Sequence, residues 1–224
     1  MAKILHIETA TKACSVGVSE NGRLVAIKEE LSAAFTHAEN ITLFIDEVLH
    51  KAGWTMKDLD AIAVTSGPGS YTGLRIGVST AKGLCYALNI PLIAVDALIS
   101  LATQAQQKYP GKTLCAAIDA RRMEIFSSIY NEHLELLKPI SADVIDAKSY
   151  EDFEPFIICG DGAEKLKTIW EHRNILVDTE IYSSIQGQIA LAHEKLQAGE
   201  VENVAYFEPY YLKDFVGTQP NKRD

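Results

Sequence analysis

The stretch Ile4–Leu31, ILHIETATKACSVGVSENGRLVAIKEEL, decides the fold. Ile4 to Glu8 and Cys14 to Ser19 are short runs of strand-forming residues, and Thr9 to Ala13 joins them as a hairpin. Asn21-Gly22 is a two-residue turn signal, because both residues tolerate the left-handed backbone that such a turn needs. It leads into a third run, Leu24 to Leu31. An antiparallel three-strand meander is expected.

The pattern then alternates. His37 to Lys51 places Ile41, Phe44, Ile45, Val48 and Leu49 at helical spacing, and Gly53 fits its stop. Ala61 to Thr65 reads as a strand, the Gly-rich run Ser66 to Gly73 as a turn, and Leu74 to Leu88 as a helix. Pro91 to Val95 is a strand and Leu98 to Gln107 a helix. The order β-β-β-α-β-α-β-α suits a mixed sheet covered by helices. Tyr109-Pro110-Gly111 breaks the chain. Strand-like runs follow at Thr113 to Asp119, Met123 to Asn131, Leu134 to Ile140 and Phe156 to Cys159, with helices expected at Ala163 to His172 and Ser184 to Ala198. Ile118-Asp119 ends a strand with a carboxylate before a tight hairpin, as Ile7-Glu8 does. The expectation is an α/β protein of two related domains around a cleft, 1–107 and 108–204, with the tail 205–224 returning to the first.

Composition bounds the function. The chain has 224 residues, 47% of them apolar and 23% charged, which is ordinary for a globular protein. Thirty acidic residues against 21 Lys and Arg give a net charge of -9, and a protein that held nucleic acid by itself would more often carry a basic field. Cys14, Cys85, Cys115 and Cys159 are scattered and read as small buried hydrophobes rather than disulfides or a metal site. His6 and Glu8 interrupt any signal-peptide core. The apolar stretches Gly83 to Val95 and Ala97 to Gln107 fall short of the ~20 residues of a spanning helix. A cytoplasmic protein with no membrane contact is expected.

Thr65-Ser66-Gly67-Pro68-Gly69-Ser70-Tyr71-Thr72-Gly73-Leu74-Arg75-Ile76-Gly77 resembles the signature of the bacterial TsaB (YeaZ) family. Asp119-Ala120-Arg121-Arg122-Met123-Glu124-Ile125-Phe126 resembles that family's second landmark, and Ile4 to Thr11 and Pro209 to Leu212 also match it. The resemblance implies two ribonuclease-H-like domains of the actin-like ATPase superfamily, each a mixed sheet with an antiparallel hairpin start and flanking helices. It implies a part in making threonylcarbamoyladenosine, the modified base next to the anticodon in tRNAs that read codons beginning with adenine. The implied partners are the catalytic paralogue TsaD and the P-loop ATPase TsaE, with a homodimer when the chain is alone and tRNA reached only through the complex. The paralogue carries an H-x-x-x-H helix that holds a metal, and the alignment puts Ala97 and Leu101 at those places. Neither offers a ligand atom, so no catalytic residue and no metal ligand are expected. The alternative is an autonomous ATPase or kinase of the actin-like superfold.

Each candidate also has a plainer reading. In ATP-using members of the superfold, the hairpin matching Glu8, Thr9 and Thr11 grips phosphates, and an acidic residue orients Mg²⁺. With Asp119, Arg121, Gly160 and Gly162, these residues form the candidate site for a residual adenine nucleotide or Mg²⁺. The plainer reading is a polar turn satisfying its own backbone. Arg121 and Arg122 read equally as phosphate or partner contacts and as a surface ion-pair cluster. Gly67-Pro68-Gly69 cradles an anion or simply makes a tight turn with close helix packing. Gly73, Gly77 and Ala81 recur every four residues, a face another helix can approach closely. With Ile76, Thr80 and Leu84 on the same helix, and Ile41, Phe44, Ile45 and Val48 on the preceding one, they form the candidate partner interface, unless both faces cover the sheet. The aromatic run Tyr206 to Tyr211 reads as core packing in preference to a base-stacking platform, and Gly217 to Asp224 as a frayed end. On this reading, Phe44→Asp or Gly77→Leu abolishes docking while the chain stays folded.

Overall fold

Asn21 and Gly22 both hold positive φ, 50° and 73°, and close the turn that the sequence signals. The turn joins β2 (Ala13–Glu20) to β3 (Arg23–Leu31) in antiparallel register, and β2 pairs back on β1 (Lys3–Glu8) from Lys3 opposite Glu20 to Glu8 opposite Ser15. The structure, a computed structural model, describes residues 1–31 and 37–213, with only the helical backbone considered at 37–39. The expected fraying of Gly217 to Asp224 lies outside the described residues.

α1 (His37–Ala52) follows, then β4 (Ala61–Gly67), α2 (Tyr71–Leu88), β5 (Leu92–Asp96) and α3 (Ala97–Lys108). β4 pairs parallel to β1, and β5 parallel to β4. Ser70 caps α2 by accepting from the Gly73 amide at 3.2 Å, so the helix starts three residues before Leu74, inside the Gly-rich run. Asp96 caps α3 by accepting from the amides of Leu98 and Ile99 at 2.8 and 3.0 Å.

The second half repeats the plan. β6 (Leu114–Asp119), β7 (Glu124–Tyr130) and β8 (Leu136–Val144) form a meander, and β9 (Phe156–Cys159) and β10 (Ile175–Asp178) add parallel to β6. Among the described residues there are two five-stranded sheets, ordered β3-β2-β1-β4-β5 and β10-β9-β6-β7-β8. Numbered within each half, both read 3-2-1-4-5. The weak repeat in letters is a full repeat in strand order, and the fold is α/β with two mixed sheets, as expected.

Two expected elements differ. Residues 163–172 hold only a 3-10 turn, Glu164–Leu166, followed by single turns. Ala163, Leu166 and Trp170 plug the outer face of the second sheet, and this short run is fixed by their burial rather than by helical length. The expected helix from Ser184 splits into a 3-10 turn, Ile185–Gly187, and α4 (Ile189–Ala198). The cause of the split is a backbone crossing. A Cβ on Gly187 would sit 2.0 Å from the Ser100 carbonyl oxygen of α3.

The strand alternation sorts side chains into cores. Leu5, Ile7, Val16 and Val18 face α1 and α2, whereas Ile4, Ala61, Ala63, Ile93 and Val95 face α4. Leu114, Ala116 and Ile118 face α3, and Cys115 and Ala117 face Trp170. Cys14, Cys85, Cys115 and Cys159 are all buried and free. No helix among the described residues is long and apolar enough to cross a membrane.

The crossing gives a test. Gly187→Ala forces a methyl group against backbone and is expected to lower Tm by about 5 °C or more. Gly83, inside α2 with nothing within 4 Å of a built Cβ, is the control. Gly83→Ala is expected to leave Tm unchanged or raise it slightly. Differential scanning calorimetry reads both.

Candidate functional site

α1 and α2 lie over the first sheet, and their apolar faces point inward. Ile41, Phe44, Ile45 and Val48 of α1 are buried, as are Gly73, Gly77 and Ala81 of α2. A Cβ on Gly77 would lie 2.3 Å from Thr9 Oγ1, so the small-residue face admits the first hairpin rather than a foreign helix. Ile76, Thr80 and Leu84 are half-buried along one edge of α2. Leu43 and Tyr86, absent from the sequence candidates, are 65% and 85% exposed. Beside Tyr86, a shallow groove of about 600 Å³ is lined by Lys82, Gly83, Asn203, Val204 and Ala205. Phe44→Asp and Gly77→Leu are therefore folding variants. The first buries an unpaired carboxylate, and the second drives a side chain into Thr9.

The first hairpin is tied to its own chain. Glu8 is buried; its Oε1 accepts from the Ala10 amide at 2.6 Å, and its Oε2 accepts from the Thr65 hydroxyl and from Gln188 Nε2 at 3.4 Å. Gln188 Nε2 also donates to Thr65 Oγ1 at 2.5 Å and to the Ile7 carbonyl at 3.3 Å. Burial nevertheless dominates, and it pushes the Glu8 carboxyl above its ordinary pKa against these hydrogen bonds. Thr9 Oγ1 donates to the Gly73 carbonyl, Thr11 Oγ1 accepts from the Ala13 amide, and the Ser70 amide donates to the Ala10 carbonyl at 2.6 Å. A Cβ on Gly69 would sit 2.4 Å from that same oxygen. The Thr9 hydroxyl and the Ala10 and Ala13 amides are thus engaged within the chain, and the Ser70 amide closes the hairpin onto the Gly-Pro-Gly loop. Glu8, Thr9 and Thr11 do not fit a phosphate-and-Mg²⁺ grip.

Nearby burial has other marks. Burial lowers the His6 pKa to about 3, and its Nε2 pairs with Ser19 Oγ at 2.7 Å. Glu29 of β3 accepts from Ser15 Oγ at 2.5 Å and from Ser184 Oγ, so a second polar contact joins the meander to the segment before α4.

The second hairpin is differently built. Asp119 and Arg121 come together: the Arg121 amide donates to Asp119 Oδ1 at 2.7 Å, and the Asp119 amide donates to Asp161 Oδ1 at 3.0 Å. Gly160 and Gly162 pack against the Ala117 backbone, where a Cβ would meet heavy atoms at 2.1 and 3.0 Å. Lys165 Nζ pins the loop through Asp119 Oδ1 at 2.5 Å and the carbonyls of Arg122 and Glu124 at 2.9 and 2.7 Å. Arg121 and Arg122 both hold positive φ, 71° and 50°, a backbone that costs about 1–2 kcal/mol per residue with a Cβ. Asp161, beside Asp119, is near enough to the first hairpin to feel the charge of Lys12 and to act on Glu8.

Ala97 and Leu101 are buried at the start of α3, in the core shared with the second sheet. Among the described residues, no group of three His, Cys, Asp or Glu is placed to hold a metal ion. The tail divides. Phe207 packs on the first core and Tyr211 and Leu212 on the second, whereas Tyr206 and Tyr210 are 84% and 45% exposed, against the expectation of core packing. The Tyr210 amide donates to the Ser66 carbonyl at 2.7 Å, which lays the tail over the Gly-Pro-Gly loop. Arg75 stacks on Tyr71 with 4.2 Å to the ring centroid and donates to the Tyr211 hydroxyl.

Sequence reasoning missed Gln188 and Thr65. The signal for Gln188 is its position on an apolar helical face, with Ile185, Ile189 and Ala192 at i-3, i+1 and i+4. Thr65 lies two residues before the end of a buried strand and carries no such mark.

Comparison with known proteins adds a family. The model described as "TsaD: tRNA N6-adenosine threonylcarbamoyltransferase" matches residues 30–214. The chain is 28% identical over 226 residues to the tRNA threonylcarbamoyladenosine biosynthesis protein TsaB of Escherichia coli (strain K12), covering 96% of each. It is 31% identical to the protein of that name from Buchnera aphidicola subsp. Schizaphis graminum, covering 73% of this chain and 80% of the relative. Among solved structures, YeaZ from Pseudomonas aeruginosa superposes with a TM-score of 0.79 at 28% identity, over 95% of this chain and all of that one.

Glu8 gives the pH test. Its raised pKa means that the protonated form favours folding; this contribution is complete below the ordinary glutamate pKa and is lost as pH rises through the raised value. Glu8→Gln removes the loss. The Tm of the variant relative to the natural chain is expected to climb as pH rises above the ordinary glutamate pKa. Parallel Tm curves would contradict the assignment.

Proposed function

The chain belongs to the TsaB (YeaZ) family of tRNA threonylcarbamoyladenosine biosynthesis proteins, and we propose that it serves there as a non-catalytic subunit. It binds the catalytic paralogue TsaD and holds it in an active arrangement, with the TsaE ATPase joining the pair. The observation that carries this reading is positional. Where the resemblance implies that the paralogue has two metal-binding histidines, this chain has Ala97 and Leu101, both buried among apolar neighbours. A side chain packed there approaches no substrate. An autonomous ATPase is not favoured, because the first hairpin's donors are already engaged.

Docking goes through the outward edges of α1 and α2. Ile76, Thr80 and Leu84 supply a half-buried stripe on α2, and Leu43 of α1 and Tyr86 of α2 supply exposed apolar side chains on the same two helices. An exposed apolar surface of this kind marks a protein interface. Alone, the same surface pairs with a second copy of the chain. The acidic chain meets tRNA chiefly through the complex, in a cytoplasmic setting.

Leu43→Asp combined with Tyr86→Asp is expected to weaken the heterodimer about 30-fold or more, as loss of interface anchors does, with Tm unchanged because both positions face solvent. Analytical ultracentrifugation reads the first and calorimetry the second. In reconstitution with TsaD, TsaE and tRNA, leaving out this chain is expected to abolish the modified nucleoside. Product formed by this chain alone from threonylcarbamoyl-adenylate and tRNA would overturn the non-catalytic role.

A further inference from the structure

The loop between β6 and β7 carries charge that its surroundings leave uncompensated. Arg121 and Arg122 are exposed, and their guanidinium groups make no hydrogen bond, ion pair or ring contact with any described residue. Arg75 and Arg173, by contrast, are both engaged, on Tyr71 and Tyr211 and on Glu154. The loop holds its two arginines at consecutive positive φ, where Asn or Gly would sit without strain. The backbone beneath them is fixed, because Lys165 is tied to Asp119 and to two loop carbonyls.

Charge elsewhere in the cluster is balanced. Lys165 answers Asp119, and Lys213 answers Glu124. Exposed Lys12 on the first hairpin acts on Asp161, which accepts from the Asp119 amide. Five cations therefore stand against three carboxylates, in a chain of net charge -9. A protein partner would ask for an apolar core around such a pair. Beside it the exposed large hydrophobics are Met123 and, opposite Glu124 in the strand pair, Val144, two isolated side chains and not a packed apolar core.

We propose that Arg121 and Arg122, with Lys12 on the neighbouring first hairpin, contact the phosphate backbone of the tRNA directly. This rests on the family role proposed above and goes beyond it, since the reading there brings tRNA to the chain through the complex. The fork of a guanidinium matches phosphate oxygens, and a prefixed loop lowers the ordering cost of the contact. The contact carries no sequence information; it positions the RNA.

The test uses the complex of the full chain with TsaD. The probe is an unmodified transcript of a tRNA that reads a codon beginning with adenine. Anisotropy is followed from about 50 to about 200 mM salt. Arg121→Asn combined with Arg122→Gly is expected to weaken binding about tenfold and to reduce the steepness of log K against log salt by about two. Lys12→Ala reduces it by about one. Tm of the double variant is expected to hold or rise, because the new residues suit positive φ, whereas a structural role would lower it. An unchanged salt slope in a normally assembled double variant overturns the inference and leaves the family role standing. Weakened heterodimer assembly with an unchanged slope also overturns it, assigning the pair to a carboxylate of the partner protein. A natural complex that neither binds nor modifies the transcript removes the functional reading and this inference together.

Discussion

A buried carboxylate with its donors supplied by three separate stretches of chain organises this molecule. Glu8 ends β1, Thr65 lies two residues before the end of β4, and Gln188 stands at the start of α4, 180 residues from Glu8 in sequence. In a medium that excludes water, a carboxyl group left without partners costs several kcal/mol, so these partners must arrive together. Their arrival fixes α4 against the first sheet and seats the chain ends of β1 and β4 side by side. It also closes the hairpin after Glu8 onto the loop before α2. Residues that suggest a phosphate grip in the sequence thus take part in a structural joint, because the Thr9 hydroxyl and the Ala10 and Ala13 amides donate within the chain.

The meander, the α/β alternation and the second hairpin are legible in the sequence because they rest on local rules: Asn21-Gly22 for the turn, period-two burial for the strands, helical spacing for α1. The Ala163 to His172 region is not. Its apolar residues Ala163, Leu166 and Trp170 match a helical face, yet what holds them is the outer surface of the second sheet, a contact set by long-range packing. β10 escapes notice because Ile175 to Asp178 is four residues long and depends on β9 for its register. The site shows the same division. Asp119 and Arg121 are neighbours by turn chemistry and are found together. Glu8 is found without Gln188, whose role depends on a contact no local pattern encodes. The inward faces of α1 and α2 are the sharpest case. Periodicity identifies an apolar stripe but not whether sheet or partner covers it, and here the sheet does.

The electrostatic picture separates the surface into tasks. Most of the chain is acidic and self-compensating, with ion pairs such as Lys138 to Asp143 and Arg173 to Glu154 holding the second half's loops. At the loop between β6 and β7, by contrast, two arginines are held outward on a strained, pinned turn. Strain of that kind persists where the surrounding structure over-determines it, and Lys165 supplies the determination.

The contact between Gly187 and the Ser100 carbonyl bears on mechanics. α3 packs on the second sheet and α4 on the first, so their crossing couples the two layers. With no room for even a methyl group at Gly187, the crossing has no slack to take up a displacement. A load applied at one helix is then passed to the other sheet and not absorbed at the joint, which suits a brace more than a jaw.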